Sequence, residues 1–138
     1  NFRLPDARPL AFVANGSGMG PFLGMIQQLE DDAGAVLFWG VQTQKQGAIF
    51  ASELDDATER GALRTVKRIF SRESTPSMYV QEAVASWSEL ESFVQADGVW
   101  VVCGSKNMSE GLAATIAAKT GKTRSEMLTS GSWIEDCY

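Results

Sequence analysis

Three glycines at alternate positions, Gly16, Gly18 and Gly20, with Pro21 directly after them, are the residues of this chain best suited to holding a charged ligand. Glycine tolerates positive φ and lets a ligand come close to the main chain. Proline in a first helical turn fixes φ and loses only an amide that has no partner there. Upstream, the apolar run Leu10 to Ala14 stops at Asn15; downstream, Phe22, Ile26 and Leu29 recur at helical spacing with Met25 beside them. The stretch therefore predicts buried strand, tight turn, helix. The unpaired amides of that helix start point into the turn, where they suit a phosphate. The plainer alternative is a tight strand-to-helix connection that binds nothing. The Gly-x-Gly-x-x-Gly dinucleotide fingerprint is not met, because Pro21 stands at its third glycine and the next strand end, Trp39-Gly-Val-Gln42, offers no acid to ribose hydroxyls.

Two further groups of residues bear on chemistry. Ser71 and Arg72 close a locally basic run that contains Arg64, Lys67 and Arg68. A hydroxyl beside a guanidinium makes a good receptor for a dianionic phosphate, since arginine offers forked donors and permanent charge. Arg64, Lys67 and Arg68 are read as a solvated face. Tyr79 is available to stack on an aromatic base, and Gln81 adds a neutral hydrogen-bonding group. Cys103 follows four apolar residues and precedes glycine, which fits either a small buried hydrophobe or a soft group packed beside a reacting ring. The chain has no histidine, so a nucleophilic role for Cys103 lacks the usual base. Lys106 is its nearest cationic neighbour in sequence.

The elements that must position these groups alternate. Ala35 to Trp39 and Val99 to Cys103 are continuous apolar runs like the first, each predicting a strand buried on both faces. Leu63 to Ser71 reads as a more polar strand, and Met78 to Val80 as a short edge strand. Helices are predicted from Pro21 through Leu29, over 48–60 with Phe50, Leu54 and Ala57 on one face, as one or two pieces up to Ala96, and over 107–120 through Met108, Leu112 and Ile116. Residues 40–47 read as a polar loop, Thr123 to Glu126 as a capping box, and the tail from Gly131 as extended. The implied fold is α/β: a doubly wound, mostly parallel five-stranded sheet with helices on both faces. Ligands of such sheets bind at the carboxyl ends of the strands, where Gly16, Ser71 and Cys103 all fall.

Composition excludes several classes. A chain of 138 residues with 44% hydrophobic and 21% charged residues is one ordinary globular domain. Its net charge of −5 argues against nucleic acid as a partner. No apolar run reaches the roughly 20 residues of a membrane span, and the first residues show no signal peptide. The absence of an initiator Met predicts a fragment or processed chain. Two cysteines, Cys103 and Cys137, make neither a disulfide framework nor a zinc site, and no metal site is expected.

The whole chain resembles the NADP-binding domain of the ferredoxin-NADP reductase family, in particular the diflavin reductases such as sulfite reductase flavoprotein subunits. The resemblance rests on Gly16-Ser-Gly-Met-Gly-Pro-Phe-Leu23, Phe38-Trp-Gly40, Phe70-Ser-Arg72 with Ser77-Met-Tyr-Val-Gln81, Val102-Cys-Gly104 with Asn107-Met108, and Asp136-Cys-Tyr138, in family order. It implies that Gly16, Ser17, Gly18, Met19 and Pro21 hold the pyrophosphate and nicotinamide side of NADP(H). Ser71 and Arg72 would take the 2′-phosphate, with Tyr79 against adenine and Gln81 nearby. Gly104, Asn107 and Met108 would complete the cofactor-binding set. The catalytic residues implied are Cys103 beside the nicotinamide, Asp136 steering hydride transfer, and Tyr138 covering the flavin ring. This sequence departs from the family at Leu23, Gln42 and Ser77, where cations are usual, and in the link Ser105-Lys106, which is one residue shorter.

The function so implied is presentation of NADPH for hydride transfer to FAD in an electron-transfer chain. An FAD-binding domain of the same polypeptide is expected upstream of residue 1, and a downstream flavin, haem or iron-sulfur group as electron acceptor. The expected location is cytoplasmic, or the cytoplasmic side of a membrane-anchored protein. The alternatives are a catalytically inactive or regulatory nucleotide-binding module that keeps the fold, and a domain for another phosphorylated ligand such as a mononucleotide.

Overall fold

The computed structural model describes residues 8–71 and 79–137. Its centre is a five-stranded sheet in the order β3-β2-β1-β4-β5, formed by β1 (Leu10–Asn15), β2 (Ala35–Val41), β3 (Leu63–Phe70), β4 (Val99–Gly104) and β5 (Trp133–Cys137). Every pairing is parallel, so the expected five-stranded sheet is found, with no antiparallel member among the described residues. The apolar runs form its middle because a parallel strand covered on both faces needs apolar side chains in both directions. In β1, Ala11 and Val13 join one core cluster while Phe12 and Ala14 join the other, all wholly buried.

Helices supply the two covering layers. On one face lie α1 (Met19–Gln28) and α3 (Ala51–Glu59), which contribute Met19, Phe22, Ile26, Leu54 and Ala57. On the other lie α4 (Val80–Ala85), α5 (Leu90–Gln95), α6 (Lys106–Thr120) and α7 (Arg124–Ser130). An aromatic cluster stiffens this second layer: Trp87 meets Phe38 edge-on at 5.3 Å, and Phe93 meets Trp100 at 4.9 Å. Met108, Leu112 and Ile116, the predicted stripe of α6, are all buried here.

Three local expectations change, and one left open is decided. The segment 40–47 is not all loop: β2 runs on to Val41, and a single-turn helix α2 (Gln44–Gly47) follows, capped by the Thr43 hydroxyl. The next helix starts at Ala51, because Phe50 sits in the left-handed region (φ 68°) with its ring against Trp39 at 6.3 Å. Val80 opens α4 instead of ending an edge strand, with the Glu82 carboxylate accepting the Tyr79 N–H at 3.0 Å; Met78 lies outside the described residues. The stretch up to Ala96 is two helices, α4 and α5. The capping box at Thr123 and Glu126 forms as expected and opens α7, and the extended tail is β5.

The chain runs from β1 outward through β2 to β3, then returns to lay β4 against the other side of β1. The strand order therefore reverses between β1 and β4, and the crevice outside their carboxyl ends is the natural ligand position in a sheet of this kind.

Candidate functional site

The turn after β1 is held from both sides. Gly16 has φ +56°, with open space where a Cβ would stand, and its carbonyl accepts the indole N–H of Trp39 at 3.3 Å. Gly18 is needed for a different reason. Its φ is ordinary, but a Cβ there would run into the Cys103 carbonyl group, 2.7 Å from its carbon and 3.1 Å from the Gly104 nitrogen. The turn thus packs directly on the end of β4. Gly20 has nothing within 4 Å of a Cβ position. Pro21 is the third residue of α1, inside the first turn where an absent amide proton removes no helical bond.

A second connection joins β1 to β4, and the sequence reading missed it. The Asn15 carboxamide accepts the Ser105 N–H at 3.0 Å and donates to the Ser105 hydroxyl at 3.2 Å. That hydroxyl also accepts the Met108 N–H at 3.2 Å, which caps α6. Gly104 permits the arrangement: its φ is +150°, and a Cβ would collide with the Asn15 amide oxygen. Serine just ahead of the Met108 stripe was a usable signal for the cap; the bond across 90 residues to Asn15 had none.

A cleft of about 480 Å³ opens above these strand ends. It brings together the predicted Gly16, Ser71, Tyr79, Gln81, Asn107 and Met108, and adds Asn15, Gln42, Gln46 and Ser105. Ser71 is fixed by its N–H, which donates to the Val41 carbonyl at 2.8 Å. Tyr79 is 54% exposed. Among the described residues the lining is built of amides, hydroxyls and apolar groups, without a charged side chain. Arg64, exposed and paired with Glu89 at 3.0 Å, and the exposed Lys67 fit the expected solvated face, whereas Arg68 is half-buried and its Nε donates to the Gly47 carbonyl at 3.0 Å. Arg72 and Tyr138 lie outside the described residues, as does the side chain of Ser17.

Cys103 and Asp136 form a separate group. They are lateral neighbours on β4 and β5, and Cys103 packs into the α1 side of the sheet, 3% exposed. Neither lines the cleft. The turn lies between the two groups, with Gly16 in the cleft and Gly18 against Cys103. Met19 is wholly buried in the α1-side core, so only its main chain is placed to meet a ligand at the helix start.

Burial pushes the Cys103 thiol up, and the electrostatic influence of neighbouring Asp136 and Cys137 acts in the same direction. A thiol so placed is a packed apolar group at neutral pH and a poor nucleophile. Iodoacetamide at pH 7.5 is expected to modify Cys137 and spare Cys103 until the chain unfolds, as peptide mass mapping would read. Because the folded chain holds this proton more tightly than the unfolded one, the associated stability is intact below the free thiol's pKa and is lost as pH rises through the folded value.

The family model for an oxidoreductase NAD-binding domain matches residues 12–114. A self-sufficient cytochrome P450 monooxygenase from Oidiodendron maius is 35% identical over 140 residues, covering 88% of this chain and 13% of the relative. An NADPH–cytochrome P450 reductase from Aspergillus terreus is 31% identical over 161 residues, covering the whole chain and 23% of the relative. The flavoprotein alpha-component of a Vibrio cholerae NADPH sulfite reductase is 28% identical over 137 residues, covering 91% of the chain and 22% of the relative. The chain thus spans less than a quarter of each of these proteins.

Proposed function

The chain belongs to the oxidoreductase NAD-binding domain family, among the diflavin-type reductases, and from that premise we propose that it binds NADPH and presents it for hydride transfer to FAD. The observation that carries the reading is the position of the turn. One extended ligand crossing Gly16 to Gly18 reaches the Ser71 and Tyr79 end of the cleft on one side and Cys103 with Asp136 on the other. A dinucleotide has that shape, with a ring at each end and phosphates between.

In this reading the main-chain amides at the start of α1 and the open face of Gly16 receive the pyrophosphate. Ser71 and Arg72 receive the 2′-phosphate, and the exposed Tyr79 ring stacks on adenine. Cys103 gives the nicotinamide an apolar, unreactive wall. Asp136 favours the positive charge that a nicotinamide gains on giving up hydride. A flavin would supply the hydride acceptor and the path to single-electron chemistry; Tyr138 would cover its ring, and an FAD domain upstream in the same polypeptide would bind the rest. A flavin, haem or iron-sulfur group would be the downstream electron acceptor.

Titration calorimetry with NADP⁺ and NAD⁺ tests the binding half, with tighter NADP⁺ binding expected. The transfer half is tested with NADPH and ferricyanide. The chain alone is expected to reduce none of it above buffer, and to do so once a flavin domain is supplied. Reduction by the flavin-free chain would overturn the assignment. An inactive or regulatory nucleotide-binding module is the second reading, favoured by the uncharged lining of the cleft among the described residues. It predicts binding with no transfer even when flavin is present.

A further inference from the structure

The Ser105 hydroxyl, on the wall of the cleft, has both of its acceptor contacts defined. A hydroxyl has two acceptor sites and one proton. Both acceptor sites of Ser105 are taken, by the Asn15 amide nitrogen at 3.2 Å and by the Met108 N–H at 3.2 Å. The carboxamide orientation is fixed as well, since the Ser105 N–H requires the amide oxygen where it stands, 3.0 Å away. The proton of Ser105 is therefore left to donate, and no described protein group receives it. Ser105 and Asn15 both line the cleft, at the crevice where the strand order reverses.

From this geometry we infer that Ser105 binds the nucleotide by donating its hydroxyl proton to a phosphate oxygen, and that Asn15 is the positioning residue that keeps this hydroxyl a donor. The inference rests on the nucleotide reading above and adds two residues to it. The pair spans the crevice between the turn and the first turn of α6, where a bridging phosphate meets Ser105 and the turn amides together. Asn15 acts through Ser105 and has its amide committed to it at both ends.

The test is a double-mutant cycle on NADP⁺ affinity by calorimetry, with unfolding followed in parallel. Asn15→Ala and Ser105→Ala are each expected to weaken NADP⁺ by about tenfold, the size of one hydrogen bond to a charged acceptor. The double variant is expected to be no weaker than Ser105→Ala, because Asn15 has nothing left to position. Ser105→Thr keeps the hydroxyl and is expected to bind within about twofold of the unmodified chain, which a purely steric contribution of serine would not allow. Additive losses would overturn the positioning role, and unchanged affinity in Ser105→Ala would overturn the donor. If Asn15→Ala does not fold, Ser105→Ala against Ser105→Thr still decides the donor. Failure of the unmodified chain to bind either NADP⁺ or NAD⁺ would overturn the nucleotide reading itself, a result distinct from all of these.

Discussion

Gly18→Ala is expected to destabilise the chain by about 2 kcal/mol and to weaken NADP⁺ by about tenfold or more. The added methyl meets main chain, the Cys103 carbonyl group and the Gly104 nitrogen at 3.1 Å, and main chain in a central strand has no rotamer through which to give way. Either the turn lifts from β4 or β4 shifts in the sheet. Both outcomes separate the cleft from the Cys103 and Asp136 group. Backbone conformation contributes nothing to the penalty, since Gly18 has an ordinary φ, so the effect is steric alone. Gly20→Ala, two residues on, provides the contrast. A Cβ there meets nothing within 4 Å, and alanine is the better residue inside a helix, so stability should rise by about 0.5–1 kcal/mol. Urea unfolding of the two variants with NADP⁺ titration of each reads both effects. Normal stability in Gly18→Ala would mean that the turn does not pack on β4.

That contrast marks what the sequence could convey. Alternating glycines announced a ligand turn, but only the packing shows that Gly16 faces the cleft while Gly18 fits the turn to a strand more than 80 residues away. The three inner strands were legible because burial on both faces leaves unbroken apolar runs. β5 was legible only as extended chain. At the sheet edge it mixes Trp133 and Ile134 with Glu135 and Asp136, and its partner is set by where the chain returns.

The misreadings have local causes. Tyr79 and Val80 favour strands by side-chain shape, yet a carboxylate three residues on satisfies the Tyr79 amide and a helix begins. Phe50 stops the helix pattern short by adopting a left-handed conformation rare for an aromatic residue; packing on Trp39 accompanies it. In the site, residue chemistry picked out Ser71, Tyr79 and Gln81, and they do share one cleft. Asn15 and Ser105 escaped because each looks ordinary alone. Their value lies in a pairing that the β1–β4 crossing creates.

The other large effect is expected from Arg72→Ala, and it should be selective. Removing a guanidinium from a 2′-phosphate contact costs about 1.5–3 kcal/mol, or roughly ten- to a hundredfold in NADP⁺ affinity. NAD⁺, which lacks that phosphate, should bind the variant within about twofold of the unmodified chain. The selectivity follows from the surroundings. Ser71 is held to the Val41 carbonyl by its N–H at 2.8 Å and its hydroxyl at 3.4 Å, neither of which involves the cation that is removed. The described lining of the cleft has no other charge to compensate, and Arg64 and Arg68 are engaged elsewhere. Salt gives an independent readout: NADP⁺ affinity of the unmodified chain should fall with ionic strength more steeply than that of the variant. Arg72→Lys should recover part of the affinity, since it restores the charge without the forked geometry. Equal losses for both nucleotides would move Arg72 from the 2′-phosphate to the pyrophosphate. No loss for either would remove it from the site and leave recognition to the neutral amides and hydroxyls of the cleft, a lining that suits a ribose as readily as a phosphate.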